Sequence, residues 1–369
     1  MKHQMLVYRN SDTASEILGT ARISRGGTMY FPKKTKEAIR HCSEQEGDNI
    51  DEGAKTLYVA LNDSLRITSK RSYDEYTDKL RKTLDVDTRD GRILFRFLTS
   101  KSVNYDCEFE KIRLSKQFMA FMRMKFEDGD NSKKRILISH KGKDEDNQEG
   151  YYSLINPDNL DRLILLSASL MSTLGQKLIK EAIDLLNLST ADNTIVIIFD
   201  RKFESDRDYE KAFVNGCEKL GFASENIILS SDVSDDKELR EMIERAGFIY
   251  CPDGNIYETL DYIHRRNLAF AINISVTSEN KATFIGSSAG AAAAGTDIDL
   301  IDYAGFDKND VGLTEFRGIG LLDGTIIPHY DEDEYLENLK KSAIQDGKED
   351  ILEKYKVITR VGNEETLII

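Results

Sequence analysis

The rhythm of apolar and polar positions changes near residue 150. Before it, apolar residues come mainly in short alternating stretches. Thr56-Leu57-Tyr58-Val59-Ala60-Leu61, Ile93-Leu94-Phe95-Arg96-Phe97-Leu98 and Arg135-Ile136-Leu137-Ile138-Ser139 predict strands. Tyr76, Leu80 and Leu84 at four-residue spacing predict a helix over 72–84. Residues 112–126 fit a helix or a long strand, with Phe118, Phe121 and Met122 on one helical face. After residue 150, continuously apolar runs alternate with amphipathic ones. Strands are expected at 163–167, 194–199, 226–229 and 248–251, and helices at 172–186, 208–220, 236–246 and 256–265. Apolar strands between amphipathic helices mean an α/β fold with a parallel sheet covered on both faces. In such sheets the chemistry lies beyond the carboxyl ends of the strands.

Between these regimes Lys141 to Gly150 has no apolar residue and reads as a linker. The expected organisation is an α+β domain over 1–150 and an α/β domain over 151–369, in keeping with a 369-residue length. Charge sharpens the division. Residues 1–150 carry 29 Lys+Arg against 25 Asp+Glu, a net of +4; residues 151–369 carry 22 against 40, a net of −18. The acidic half would repel phosphates, which disfavours nucleic acid as its partner. The basic clusters at 33–36 and 132–135 are interleaved with acidic residues and read as solvated surface. No apolar run approaches the roughly 20 residues of a membrane span, and no signal-like segment follows Met1, so a cytoplasmic protein is expected. Cys42, Cys107, Cys217 and Cys251 are scattered without metal-ligand spacing. No metal or cofactor is called for. A homodimer is compatible with the sequence.

One stretch carries chemistry. Ala282 to Ile285 reads as a buried strand, Gly286-Ser287-Ser288-Ala289-Gly290 fits G-x-S-x-G, and Ala291 to Ala294 favours helix. Strand, glycine-flanked serine and helix make a nucleophile elbow. Glycines remove the Cβ atoms that would clash at the turn, and free amides at the helix start favour developing negative charge. The bland alternative is a small-residue turn. A partner base decides between them. His264 lies in a helix beside Arg265 and Arg266, whereas His329 ends the short apolar stretch Gly324 to Pro328 and is the natural base for Ser288. Asp297, Asp299 and Asp302 follow the elbow helix and are open as the orienting acid. Asp331, Glu332 and Asp333 fit better as caps of the next helix. The amide of Ala289 and that of Gly254, in the Pro252-Asp253-Gly254-Asn255 turn, are the oxyanion donors expected.

Phe-Ile-Gly-Ser-Ser-Ala-Gly-Ala at 284–291, Asp-Gly-Asn at 253–255 and Gly-Ile-Gly-Leu-Leu…Pro-His-Tyr at 318–330 resemble the peptidase E and cyanophycinase family of serine peptidases. The resemblance runs from about Asp161 to about Tyr335 and leaves residues 1–150 outside it. It implies a flavodoxin-like sheet similar to class I glutamine amidotransferase domains. It implies Ser288 as nucleophile, His329 as base, and an acid after the elbow helix, with Asp302 nearest the expected place and Asp299 the alternative. It also implies an oxyanion amide at Gly254, in a loop whose Asn255 faces substrate. Asp253 replaces the first glycine of that loop; a carboxylate there would repel an acidic substrate or select a free amino terminus. The expected activity is a serine exo- or dipeptidase acting on small peptides. The rival is a non-catalytic ligand-sensing or interaction module on the same fold.

Overall fold

The computed structural model describes residues 6–9, 17–25, 28–30, 56–61, 65–68, 78, 81, 102–104, 111–113, 134–141, 151–155, 160, 162–200, 207–278, 282–304, 307–330, 341, 343–347, 358–363 and 365–369. They divide into two units, Met1–Thr13 with Leu160–Ile369, and Ala14–Asn159. This differs from a boundary at residue 150 at both ends of the first half. Strand β1 (Leu6–Arg9) belongs to the sheet of the later unit. The polar segment after Lys141 is not a linker between units. It joins β8 (Lys134–Lys141) to β9 (Tyr151–Ile155), which pair antiparallel with Lys141 opposite Tyr151. A run without apolar residues fits a hairpin connection as well as a linker, and composition alone does not separate them.

The unit Ala14–Asn159 holds an antiparallel sheet. Its further strands are β2 (Ile17–Ile23), β3 (Thr28–Tyr30), β4 (Thr56–Leu61), β5 (Leu65–Thr68), β6 (Ser102–Asn104) and β7 (Lys111–Arg113), in the order β6-β4-β5-β9-β8-β2-β3-β7. Ala21, Ile23, Met29 and Ile136 to Ile138 are buried. The strands expected at 56–61 and 135–139 are present; of 112–126 only the end of β7 is described. The expected strand at 93–98, and the expected helix at 72–84 apart from helical Asp78 and Arg81, lie outside the described residues.

The other unit is a mostly parallel α/β sheet. Its strands are β10 (Leu163–Leu166), β11 (Ile195–Ile197), β12 (Ile227–Leu229), β13 (Phe248–Cys251), β14 (Thr283–Ser287) and β17 (Glu365–Ile368), in the order β1-β17-β10-β14-β13-β11-β12. β10 to β14 are parallel, and β17 runs antiparallel to both β10 and β1. β15 (Thr325–Pro328) and β16 (Ile358–Val361) form a separate parallel pair. The helices are α1 (Thr173–Leu186), α2 (Arg207–Lys219), α3 (Asp236–Arg245), α4 (Ile256–Arg265), α5 (Leu268–Thr277), α6 (Ala289–Ala293) and α7 (Asp299–Ala304). From β10 the chain moves one way along the sheet to β11 and β12, then turns back to β13 and β14. Right-handed crossovers therefore place α1 and α2 on one face and α3 to α5 on the other. Among the described residues no helix is long and apolar enough to cross a membrane.

Local chemistry explains the elements. Ser172 caps α1 by accepting the Gly175 amide at 2.9 Å, and Asn187 ends it with φ 56°. Its buried residues Leu178, Ile179, Ala182, Ile183 and Leu186 recur every three or four positions. Asp235 caps α3 at 2.7 Å from the Glu238 amide. α5 was not expected, because Leu-Ala-Phe-Ala-Ile-Asn-Ile-Ser-Val-Thr is apolar nearly all round and shows no face. β14 lies between β10 and β13 with all five residues buried, so the elbow at its end sits mid-sheet.

Candidate active site

Ser288 follows β14 directly and takes φ 48°, ψ −109°, a conformation that strains a residue with a Cβ. The surroundings fix it there. The Ser288 amide donates to the Leu166 carbonyl at 2.8 Å, and its carbonyl accepts the Ala292 amide at 3.0 Å. α6 lies so close behind that a Cβ on Gly290 would run into the Cys251 carbonyl; one on Gly286 would lie 2.7 Å from the Gly290 carbonyl oxygen. The glycines of G-x-S-x-G are thus required by close approach. Ser288 stands at the N-cap of α6, yet its side chain makes no capping bond. The hydroxyl serves another partner. At five residues α6 is too short for an extended dipole, and what it offers a charge is the free amides of its first turn.

That partner is His329. Ser288 Oγ lies 2.9 Å from His329 Nε2. His329 directly follows β15 and has φ 58°. Its amide donates to Ser167 Oγ at 2.8 Å, and Ser167 Oγ donates to the Val361 carbonyl at 2.8 Å. Ser167, 2% exposed, therefore locks the histidine backbone to the end of β10. On the far side of the ring, His329 Nδ1 lies 2.8 Å from Asn363 Oδ1. An amide oxygen there accepts from Nδ1–H, so Nε2 carries the lone pair that faces the serine hydroxyl. The turn after β14 thus leads into a hydrogen-bonded series, Ser288–His329–Asn363.

This corrects the expected acid. Asp302 Oδ1 accepts the Tyr257 hydroxyl at 2.7 Å, and the imidazole Nδ1 bonds Asn363 instead. Asp299 starts α7, and its amide contacts Asp297 Oδ1 at 3.4 Å. Asp297 Oδ1 also accepts from the Thr325 hydroxyl at 3.1 Å, which braces β15. Asp331, Glu332 and Asp333 lie outside the described residues. Sequence reasoning missed Asn363 and Ser167. The one signal for Asn363 was a Gly-Asn turn between two short apolar stretches, Val357-Ile358-Thr359 and Thr366-Leu367-Ile368, and it named no partner.

The expected oxyanion donors lie toward β13. Ala289 is buried at the first position of α6. Gly254 is exposed with φ +147°, a conformation L side chains rarely adopt. Its loop is tied to α6 by the Gly290 amide, which donates to the Pro252 carbonyl at 3.1 Å. Asn255 caps α4, its Oδ1 accepting from the amides of Tyr257 at 2.9 Å and Glu258 at 3.2 Å. A crevice of about 80 Å³ opens between the ends of β11 and β13, lined in part by Phe199, Asp200, Asp253, Gly254 and Glu258. Helices leave these neighbouring strands to opposite faces, the usual place for a ligand in such a sheet. Asp200 pairs with Arg265 at 2.8 Å. Asp253 Oδ1 is shielded from solvent without a hydrogen-bond partner among the described residues. Cys251, at the end of β13, is fully buried, and burial pushes its thiol up to about 12, so it is no rival nucleophile. Among the described residues no group of His, Cys, Asp and Glu is placed to hold a metal ion.

The chain is similar in sequence to known proteins. Over 133 residues the chain is 26% identical to "Uncharacterized peptidase Lmo0363" of Listeria monocytogenes serovar 1/2a (strain ATCC BAA-679 / EGD-e), a span covering 36% of this chain and 63% of that relative's length. Among solved structures, a candidate peptidase E from Listeria monocytogenes EGD-e aligns with TM-score 0.41 and 21% identity, over 56% of this chain and 93% of the other. A peptidase from an acI-B1 Actinobacterium aligns with TM-score 0.35 and 17% identity, over 48% and 74%. The model of peptidase family S51 matches residues 163–358, which contain Ser288 and His329 and stop short of Asn363. That match covers more than half of the 369 residues, and the chain belongs to peptidase family S51.

Proposed function

We propose that this protein is a serine-type exo- or dipeptidase that hydrolyses small peptides with Ser288 as nucleophile and His329 as general base. The observation that carries this is the 2.9 Å Ser288 Oγ to His329 Nε2 hydrogen bond, made while Nδ1 is held by Asn363. Family membership supports peptidase chemistry. In the first step the Oγ–H proton passes to Nε2 as Oγ bonds the carbonyl carbon. The oxyanion forms against the amides of Ala289 and Gly254. The Nε2 proton then goes to the leaving amine as the C–N bond breaks. Water repeats the sequence on the acyl-serine, with His329 taking its proton. Asn363 holds the ring in the productive tautomer without a charge, as the asparagine of Cys-His-Asn peptidases does.

The crevice beside Gly254 adds a direction for specificity. Carboxylates of Asp253 and Glu258 line it, which favours a free amino group over an acidic side chain. Two described cysteines, Cys217 and Cys251, are unpaired buried thiols, in keeping with a reducing cytoplasm. The rival module without catalysis draws on one observation, the uncharged orienter; the intact serine–histidine bond counts against it. Labelling with a fluorophosphonate decides. Wild type reacts at Ser288, and both Ser288→Ala and His329→Ala do not. A folded wild type that stays unlabelled, and cleaves no dipeptide, refutes the peptidase reading.

A further inference from the structure

We propose that Asp302 and Asp307 are positioning residues that clamp the oxyanion loop, acting through Tyr257 and the first amide of α4; this rests on the peptidase reading above. Three hydrogen bonds from three consecutive residues join the loop to the segment after the elbow helix. Asn255 Nδ2 donates to the Lys308 carbonyl at 2.9 Å. The Ile256 amide donates to Asp307 Oδ2 at 2.9 Å. The Tyr257 hydroxyl donates to Asp302 Oδ1 at 2.7 Å. The series begins one residue after Gly254.

Gly254 cannot fix its own amide. At φ +147° it occupies a region open chiefly to glycine, and no atom lies within 4 Å of where a Cβ would stand. Its orientation is set by what comes before and after. Before it, the Pro252 carbonyl is held by the Gly290 amide of α6. After it, the amides that open α4 are all engaged: Ile256 by Asp307, Tyr257 and Glu258 by the Asn255 side chain. The Asn255 amide group is in turn held by Lys308, and Tyr257, 2% exposed, is anchored in the core. Burial, and then the bond to Asp302, raise the Tyr257 hydroxyl above its ordinary pKa, so it stays a donor. The acid that the sequence offers to the histidine is spent on the opposite side of the nucleophile. An oxyanion donor works only within about 2.7–3.1 Å of the developing charge, and a misplacement of about 1 Å costs on the order of a hundredfold.

The test separates the maximal rate of fluorophosphonate labelling, kinact, from the probe affinity KI, on the full chain. Tyr257→Phe and Asp302→Ala each lower kinact by about tenfold and leave KI unchanged. The double variant is no slower than either single one, since both delete the same bond. Asp302→Asn, whose Oδ1 still accepts, recovers most of the rate; loss of a triad carboxylate's charge would instead cost about 10⁴-fold. Wild-type kinact in both single variants, multiplying effects in the double variant, or an Asp302→Asn as slow as Asp302→Ala overturns the clamp. Amide hydrogen exchange over 253–257 gives a readout free of chemistry: it accelerates in Tyr257→Phe and in Asp307→Ala. Unchanged exchange overturns the proposal even in a protein that labels normally. An unlabelled wild type overturns the peptidase reading and the oxyanion role together, while exchange still decides whether the loop is clamped.

Discussion

The two flanks of Ser288 are built on opposite principles. Toward β10 and β17, the described partners of His329, the proposed base, are neutral. Asn363 holds the imidazole, and Ser167 holds its backbone. Toward β13, carboxylates hold groups that never titrate in the working range. Asp307 takes a backbone amide and Asp302 a buried phenol. A fixed charge beside the histidine would stabilise the imidazolium; a charge beside an amide or a phenol only strengthens a hydrogen bond. Among the described contacts, carboxylates take the groups that do not titrate and neutral groups take the imidazole and its backbone. The acids nearest the elbow in sequence therefore do not reveal which group orients the base.

The comparison can be broken most decisively at the relay. His329→Ala leaves Ser288 without a base and should lower hydrolysis by about 10⁴-fold or more, at the level of Ser288→Ala. Steady-state assay on a dipeptide panel checks it, and a residual rate within tenfold of wild type would remove His329 from the chemistry. Next comes Asn363→Ala, expected to lower kcat by about 10- to 100-fold, because nothing then holds Nδ1 and the ring loses its orientation. Asn363→Asp restores the acceptor and adds charge. It should keep or raise kcat and move the acid limb of the pH–rate profile upward, because a carboxylate favours the protonated ring. Tyr257→Phe, on the other flank, should leave the profile where it is. A shift in both would erase the distinction between the flanks.

Ser167→Ala should have a smaller effect on rate and a measurable one on stability. It strips partners from the His329 amide and the Val361 carbonyl, a cost of about 1–3 kcal/mol for buried groups left unpaired, read as a fall in Tm. At the low end, iodoacetamide at pH 8 should not affect activity. Cys251 and Cys217 are buried with thiols pushed up to about 12, so roughly one molecule in 10⁴ carries the thiolate there. Rapid inactivation of the wild type would point to a reactive cysteine at the site.

The parts of this fold that are governed by near neighbours could be read from the chain. β13 appeared at Phe248–Cys251 because four consecutive buried residues need no distant partner to be recognised. α1 and α3 carried their caps, Ser172 and Asp235, one residue before the helix. The elbow was legible because the steric need for Gly286 and Gly290 is local. What escaped depends on pairing across the chain. β1 and β17 are short apolar strands whose role is set by lying beside each other and β10. Asn363 is one amide among many until folding brings it to a ring 34 positions earlier. Asp302 was misassigned for the converse reason. The resemblance implies an acid after the elbow helix and so points to Asp302 as the partner of His329, whereas its bond goes to Tyr257, 45 positions earlier.

The position of β17 has a consequence for how activity arises as the protein folds. The turn that carries Asn363 leads directly into this strand, which is inserted between β1 and β10. Its pairing with β1 joins the most sequence-distant segments of the sheet, a contact that local collapse does not reach early. A chain that has formed β10 and β14 but not yet seated β17 already presents Ser288, while the His329 ring lacks Asn363 even where Ser167 holds its backbone. On the proposed reading, the series Ser288–His329–Asn363 is therefore complete only once this last long-range pairing has formed, and incompletely folded copies lack it.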